Sequence, residues 1–318
     1  MRSAVFLTPG QGGDPTGALR VLYEADDDAQ HTIDGVLADV AGATGTEVAA
    51  LRSVLLTDHP PRQENPVLVR QLAVYSISVS VAAILLARDI RPRALIGQSF
   101  GEIAALVCVG VFDVANGARA VRALNFAFSA YEGRGATVRL AGSETDARLL
   151  LTEFGRDELV VACMNSPRQT LISGPVDIVE EFMSVVRPRQ SLTRLRIPYA
   201  AHHPELGEVA EQFYRRLAQI PMAPSRIPMY SPVRRRAYHD GDDLRRALAD
   251  CVTKPVYLTE TLSAVAAQSP TLFVELGSGE VLCDCVRDTV PGARTLAPLV
   301  GEPTWLTTPP PPFPPDLG

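Results

Sequence analysis

A serine between two glycines is the residue of this chain best suited to covalent chemistry. The segment Gly97-Gln98-Ser99-Phe100-Gly101 follows a short apolar run and leads into the helix-like run 102–106. This spacing is typical of a nucleophile elbow, a sharp strand-to-helix turn that lifts a serine hydroxyl above a sheet. The helix would aim its free N–H groups at the carbonyl that the serine attacks. Because ordinary turns also contain Gly-x-Ser-x-Gly, a base and an oxyanion hole must be found elsewhere.

Histidine is the side chain whose ordinary pKa suits proton transfer near neutrality, and it is the first candidate for that base. The chain has five histidines, which are His31, His59, His202, His203 and His239. The glycine-rich segment 9–13 could supply backbone N–H donors, serve as a flexible turn, or bind phosphate. A phosphate loop is disfavoured because the Gly-Lys-Ser/Thr ending is missing.

Composition limits the class of protein. The chain has 318 residues, is 46% hydrophobic and carries a net charge of −6, which predicts a large core and no nucleic-acid surface. Its five cysteines are odd in number and lie mostly among apolar residues, which indicates reduced thiols in a cytoplasmic protein. Cys283-x-Cys285 has no partner pair at zinc-binding spacing, so we expect no metal.

The apolar segments indicate no attachment to a membrane. The N-terminal run stops at Thr8 and is too short for a signal sequence. The longest apolar stretch, Leu72 to Ala87, falls short of the ~20 residues needed to cross a bilayer. We predict that it forms a buried core helix.

The order of segments predicts two subdomains. Apolar runs alternate with helix-like segments in the first part of the chain, which favours α/β layering around a parallel sheet. Residues 133–199 follow the order strand, helix, strand, strand, helix, strand, ending with a strand at Leu192 to Ile197. That order is typical of a ferredoxin-like unit inserted into the α/β core of residues 1–132 and 200–306. The proline-rich residues 307–318 are predicted to form a disordered tail.

Further segments in chain order carry a resemblance to a known family. They are Pro9-Gly10-Gln11-Gly12, Asn165-Ser166-Pro167 with Ile172-Ser173-Gly174, Tyr199-Ala200-Ala201-His202, and 273–282. With the elbow, they make the chain similar to the malonyl-CoA:acyl-carrier-protein transacylase family, which includes the acyltransferase domains of polyketide synthases. The resemblance implies an α/β-hydrolase-like large subdomain with a ferredoxin-like insertion. We interpret the chain as a discrete, trans-acting member.

The resemblance also implies catalytic roles. Ser99 would carry the acyl group as an ester, with His202 rather than His203 as its base. In this family, backbone carbonyls orient the histidine, and one matching position lies near Cys251, ahead of Lys254. The remaining histidines are expected to be structural or surface residues.

Two backbone N–H groups are implied as the oxyanion hole. They belong to Phe100, directly after the nucleophile, and to Gln11 in the glycine-rich turn. Asn165 would lie at the floor of the cleft. Its amide could equally cap the turn before Pro167.

The sequence departs from the family in the helix after the elbow. Members selective for malonyl and methylmalonyl groups carry an arginine there, whose guanidinium binds the acyl carboxylate. The matching position is Leu124, 25 residues beyond Ser99. Arg122 cannot replace that arginine, because two residues along a helix turn a side chain by about 200°. A carboxylate beside Leu124 would be buried without a partner, at a cost of several kcal/mol.

The acyl pocket is therefore expected to be apolar and larger than that of a malonyl enzyme. Leu124 and Phe128 would line it, and Ala201, in the segment that begins at Tyr199, stands where malonyl-type members have a bulky phenylalanine. We expect an acyl group bulkier than malonyl and without a free carboxylate. Gln98, where histidine is common, has no assigned role.

The implied partner is an acidic acyl carrier protein, with substrates held on its phosphopantetheine or on that of CoA. Local basic clusters could steer this carrier to the cleft, or could be ordinary solvated surface. The candidate docking residues are Arg187, Arg189, Arg234, Arg235 and Arg236. We expect a monomer that binds no cofactor, nucleic acid or membrane.

Three functions are consistent with the motifs of this sequence. The first is acyl transfer between phosphopantetheine thiols, and the second is hydrolysis of acyl groups from stalled carrier proteins by the same Ser99 and His202. The third, a carrier-docking module with a dead site, is disfavoured because both residues are intact. No residue decides whether water or a thiol resolves the acyl-enzyme.

Overall fold

Two β-sheets divide the molecule into a large and a small subdomain. A computed structural model describes residues 4–60, 65–269, 272–301 and 305, and the predicted tail at 307–318 lies outside these residues. The arrangement of sheets and helices confirms the predicted α/β fold class with two subdomains.

The large sheet has six strands in the order β11-β10-β1-β2-β7-β8. They are β1 (Ala4–Thr8), β2 (Pro92–Gly97), β7 (Met229–Ser231), β8 (Arg236–Ala237), β10 (Leu272–Glu275) and β11 (Thr295–Leu296). All pairings are parallel except that between β7 and β8. β1 lies at the centre with all five residues buried, as expected of a parallel strand that helices cover on both faces.

The small sheet has five strands in the order β6-β3-β5-β4-β9. They are β3 (Gly135–Leu140), β4 (Val160–Ser166), β5 (Gln169–Pro175), β6 (Leu192–Arg194) and β9 (Val256–Tyr257). The first four have the antiparallel ferredoxin-like order. β9 comes from the segment that was predicted to belong wholly to the large subdomain, and it pairs parallel with β4. β6 is also shorter than predicted, because after Arg194 the chain leaves β3 and enters the cleft between the subdomains.

Twelve helices are found among the described residues. They are α1 (Arg20–Ala25), α2 (Asp27–Thr44), α3 (Val48–Leu56), α4 (Pro66–Ala87), α5 (Gly101–Cys108), α6 (Val114–Phe128), α7 (Glu144–Phe154), α8 (Val176–Val186), α9 (Gly207–Leu217), α10 (Leu244–Thr253), α11 (Leu258–Ala266) and α12 (Val281–Thr289). Side-chain caps fix several of their N-termini, as where Asp113 accepts the backbone N–H of Asn116 at the start of α6.

Helix α4 packs inside the large subdomain. Asn65 caps it and Pro66 occupies its first turn, which is the position that a proline favours. It is the one helix of the described residues that is long and apolar enough to cross a membrane, but 78% of its apolar window is buried within the protein. Its apolar residues therefore form core against α2 and α6.

Candidate active site

The elbow holds Ser99 in a strained conformation between β2 and α5. Its φ of 56° lies in the left-handed region, which residues other than glycine rarely adopt. Two hydrogen bonds hold the turn, from Gln98 N to Thr8 O at 2.9 Å and from Gly101 N to Gln98 O at 2.9 Å. The serine hydroxyl is thereby placed above the carboxyl edge of the parallel sheet, where α/β folds bind ligands.

The two glycines that flank Ser99 allow close packing between strand and helix. A β-carbon on Gly101 would overlap the carbonyl oxygens of Thr8 and Pro9. One on Gly97 would lie 2.6 Å from Cα of Glu102. The strained residue is the serine itself, and the glycines allow strand and helix to approach closely enough to hold it there.

His202 lies within hydrogen-bond distance of the serine. Its Nε2 is 2.7 Å from Ser99 Oγ, and its Nδ1 is 2.9 Å from the carbonyl oxygen of Lys254. Because a carbonyl can only accept, Nδ1 carries the ring proton and Nε2 is left to accept from the serine hydroxyl. His203 points elsewhere, with Nε2 3.0 Å from Glu158 O.

The environment of His202 keeps the imidazole neutral. Burial lowers its pKa to about 4, and the hydrogen bond to the Lys254 carbonyl only partly opposes this change. At neutral pH the ring is therefore unprotonated at Nε2. It can act as a base towards Ser99 without first losing a proton.

Two backbone N–H groups stand free beside the serine. Among the described residues, neither Phe100 N nor Gln11 N has a hydrogen-bond acceptor. Both residues, with Ser99, line the same cavity. Unpaired N–H donors beside a nucleophile can stabilise the negative oxygen of a tetrahedral intermediate.

Gln98, which had no role assigned from sequence, ties this donor loop to the small subdomain. Its Oε1 accepts the backbone N–H of Gly10 at 3.2 Å, and its Nε2 donates to Asn165 Oδ1 at 2.8 Å. Asn165 is buried at the end of β4 and lines the cleft. The pair therefore fixes the position of the segment that carries Gln11 relative to both sheets.

A small apolar cavity lies on one side of Ser99. It has a volume of about 40 Å³ and no Asp, Glu, Lys or Arg among its described lining residues. Leu124, Phe128 and Ala201 face it as expected, and the rings of Phe128 and Tyr199 stack at 3.9 Å. One water-sized group needs roughly 10–15 Å³ of such volume, so the cavity holds only a few heavy atoms. This volume is smaller than expected for a group bulkier than malonyl, and the stacked rings of Phe128 and Tyr199 are among the walls that limit it.

Tyr199 is held by two glutamines. Nε2 of Gln11 donates to its hydroxyl at 2.5 Å, and Nε2 of Gln71 donates to the same oxygen at 3.1 Å. Gln71 was not expected from sequence, since it lies in the middle of the apolar helix α4. A polar residue on such a buried helix was the signal that could have found it.

A larger cleft opens on the other side of Ser99, between the two subdomains. Its volume is about 160 Å³. The loop 9–13 and the start of α12 form one wall, and the open face of the small sheet forms the other. Ser99 and His202 lie where this cleft meets the small cavity.

A buried carboxylate supports the elbow from below. Glu102 accepts from Ser231 Oγ at 2.6 Å and from the Tyr238 hydroxyl at 2.5 Å. Burial raises its pKa to about 7, against the effect of these hydrogen bonds. This contact anchors the first turn of α5 on β7 and on the loop after β8, and Glu102 was not among the residues predicted from the sequence.

Most of the predicted docking arginines already have acidic partners. Arg234, Arg235 and Arg236 pair with Asp250, Glu260 and Asp242, and Arg189 pairs with Glu153. These carboxylates neutralise the clusters locally. Arg187 alone of the five has no side-chain partner among the described residues, and a docking role for these clusters stays a prediction.

The fold and the elbow geometry define a class of protein, the α/β proteins with a nucleophile elbow and a ferredoxin-like insertion. Residues 5–303 match the family described as Acyl transferase domain. The chain therefore belongs to the acyl transferase domain family.

Individual relatives agree with this assignment. The chain is 30% identical to erythronolide synthase EryA3 of Saccharopolyspora erythraea over 298 residues, which are 93% of this chain and 9% of that protein. It is 28% identical to the malonyl CoA-acyl carrier protein transacylase of Synechocystis sp. (strain ATCC 27184 / PCC 6803 / Kazusa), over 70% of this chain and 74% of that one. The chain thus spans about a tenth of the length of the polyketide synthases that it matches.

Solved structures share the fold. A loading acyltransferase from the avermectin modular polyketide synthase superposes with a TM-score of 0.82 at 25% identity, covering 92% of this chain and 93% of that one. A type II polyketide synthase malonyl-transacylase, solved with its acyl-carrier protein, superposes with a TM-score of 0.81 at 23% identity, over 93% and 96% of the two chains.

Proposed function

We propose that this chain transfers an acyl group between phosphopantetheine thioesters through an ester on Ser99. One observation carries the proposal, namely that Ser99 Oγ lies 2.7 Å from His202 Nε2 where two cavities meet. A nucleophile at such a junction can receive an acyl group from one side and release a thiol to the other.

In the first half-reaction, His202 Nε2 takes the proton of Ser99 Oγ as the oxygen attacks the thioester carbonyl. The carbonyl oxygen becomes negative and accepts hydrogen bonds from Phe100 N–H and Gln11 N–H. The intermediate collapses by breaking the carbon–sulfur bond. The proton on Nε2 passes to the leaving thiolate, so that an ester on Ser99 and a free thiol remain.

The second half-reaction runs the same steps in reverse with a different thiol. His202 Nε2 removes the proton of the incoming thiol, whose sulfur attacks the ester carbonyl. The ester bond breaks, and Ser99 recovers its proton from Nε2. The Nδ1 hydrogen bond to Lys254 holds the ring in the same tautomer throughout.

The acyl group in this proposal is small and carries no free carboxylate. Leu124 occupies the position implied for the carboxylate-binding arginine, and the cavity that it lines offers no cation among the described residues. A malonyl carboxylate would be buried there without a counter-charge, which is costly. Groups of acetyl or propionyl size suit a cavity of about 40 Å³.

The proposed partner is an acyl carrier protein, and the proposed place of action is the cytoplasm. A fold relative was solved with the acyl-carrier protein that it serves. Reduced, buried cysteines such as Cys163, whose pKa burial raises well above the ordinary value, are consistent with a cytoplasmic protein.

A single incubation tests the proposal. The protein is mixed with a propionyl-loaded carrier and a second carrier that bears a free phosphopantetheine thiol, and every species is weighed by intact-protein mass spectrometry. Transfer to the second carrier, with an intermediate gain of one propionyl group on the protein, is expected. Ser99→Ala should show neither event. Release of free acid without transfer would assign hydrolysis instead, and a covalent acyl-enzyme in Ser99→Ala would refute the nucleophile.

A further inference from the structure

One cation lines the cleft between the subdomains without any partner. Arg139 on β3 is exposed, and its side chain has no hydrogen bond or ion pair among the described residues. No other lysine or arginine of the described chain lines this cleft. Neighbouring arginines form ion pairs with carboxylates. Arg194 pairs with Glu180, and Arg196 pairs with Asp14.

The strand register aims Arg139 at the cleft. Side chains alternate along β3, and Ala136, Val138 and Leu140 face the core of the small subdomain. Thr137 and Arg139 therefore face the other way. The Thr137 hydroxyl is 3.1 Å from the backbone N of Ala201, beside the catalytic histidine. Arg139 lies two residues, or about 6.8 Å, further along the same face.

The remaining ionisable groups of the cleft form no ion pair with Arg139 among the described residues. The other lining residues of this kind are Glu275, His202 and Cys163. Glu275 accepts the backbone N–H groups of Leu282 and Cys283 at 2.8 and 2.9 Å, and so caps α12 instead of pairing with Arg139. His202 is neutral at physiological pH. Arg139 is therefore the one lysine or arginine of the described residues that this cleft offers to a ligand, with no carboxylate in contact with it.

The sizes of the two cavities decide which end of a thioester lies in the cleft. A cavity of about 40 Å³ beside Leu124 takes a small acyl group but cannot hold a phosphopantetheine arm. The arm must therefore lie in the cleft of about 160 Å³, which leads past Arg139. The one charged group of this arm is its phosphate.

We propose that Arg139 is a specificity-determining residue that binds the phosphate of the phosphopantetheine arm. The inference rests on the proposed function, since it takes a thioester carried by Ser99 as its starting point. A guanidinium matches phosphate oxygens in a bidentate geometry, which an ammonium cannot do. CoA and a carrier protein share this phosphate, so both donors should depend on Arg139 equally.

A series of propionyl thioesters tests the proposal, with arms of N-acetylcysteamine, pantetheine, phosphopantetheine, CoA and carrier protein. For Arg139→Gln, kcat/KM should fall about tenfold with the last three, while the first two should be unaffected. Arg139→Lys should recover part of the loss. Arg122→Gln removes an exposed arginine of α6 outside both cavities and is the matched control.

Other results overturn the assignment. An equal loss with pantetheine and phosphopantetheine would place the contact on the amides of the arm, and a loss with the carrier alone would place it on the carrier's surface. A loss with N-acetylcysteamine would indicate damage to the acyl site, and no loss would leave Arg139 as solvated surface. Failure of the wild-type protein to form any acyl-enzyme would instead refute the proposed function itself.

Discussion

The two cavities that meet at Ser99 differ in size, chemistry and origin. The small cavity is built largely from helices of the large subdomain and is lined by Leu124, Phe128 and Phe213. The cleft is shared between the subdomains and is lined by glycine backbone, amide side chains and Arg139. Under the proposed function, this difference would let the small cavity select the acyl group by shape and exclusion of charge, while the cleft would select the rest of the thioester by polar contacts.

The largest expected effect concerns the group that both cavities share. His202→Ala removes the proton acceptor of Ser99, and kcat/KM should fall by about 10⁴-fold or more for every acyl group and every arm. The matched control is His203→Gln, since that neighbouring ring bonds to Glu158 O and not to the serine. Comparable losses in the two variants, measured by the rate of acyl transfer, would remove His202 from its assigned role.

The second prediction concerns a substitution at Leu124 that changes the small cavity but not the cleft. Leu124→Arg places a guanidinium in the acyl cavity, so propionyl loading should fall and malonyl loading should rise, changing their ratio by about 10- to 100-fold. Leu124→Met, which keeps the cavity apolar, should leave the ratio almost unchanged. Competition between malonyl-CoA and propionyl-CoA, followed by the mass of the acyl-enzyme, measures the ratio. Equal loading by the wild-type protein would contradict the argument from Leu124.

The third prediction concerns Gln98, which lines the cleft next to Ser99 and holds the loop that carries Gln11. Gln98→Leu removes the hydrogen bonds to Gly10 N and Asn165, so that the loop carrying Gln11 N–H loses its anchor. We expect kcat to fall about tenfold with KM little changed, because the lost contact acts on the transition state. Asn165→Ala should reproduce part of this loss. A rise in KM alone would place Gln98 in arm binding.

The smallest expected effect is in the pH profile. Because burial lowers the pKa of His202 to about 4, its imidazole stays mostly neutral down to about pH 5. The kcat/KM with propionyl-N-acetylcysteamine should therefore change by less than about twofold between pH 7.5 and 5.5. An imidazole with the ordinary pKa near 6.5 would lose about tenfold over that range. Such a loss would show that His202 is more hydrated than its burial indicates.

Local sequence patterns were enough to predict several of the strands and the elbow. Short apolar runs that end at glycine or proline predict β1, β2 and the ferredoxin-like strands, because such runs are recognised from neighbours in sequence. The short strand β9 could not be found this way. Two residues carry no periodic signal, and Val256 is held there by pairing with Cys163 of β4.

The candidate site was less predictable than the fold. The elbow pattern pointed to Ser99, and the family resemblance pointed to His202 and to an apolar acyl cavity at Leu124. Gln71 and the phosphate-binding role proposed for Arg139 were missed, because each depends on which faces meet across the cleft. The bulky acyl group was expected from the small side chain at Ala201, whereas the stacked rings of Phe128 and Tyr199 line the same cavity and depend on tertiary packing.

The sequence by itself determined that a serine would stand on a strand-to-helix turn, since the glycines and apolar run that build the turn are adjacent to it. Only the tertiary structure decided that His202 would reach Ser99, because 103 residues separate them and the link depends on docking two subdomains. It also decided the pKa of that histidine and the volumes of the two cavities. Burial and empty space are properties of many packed side chains together, and no local pattern encodes them.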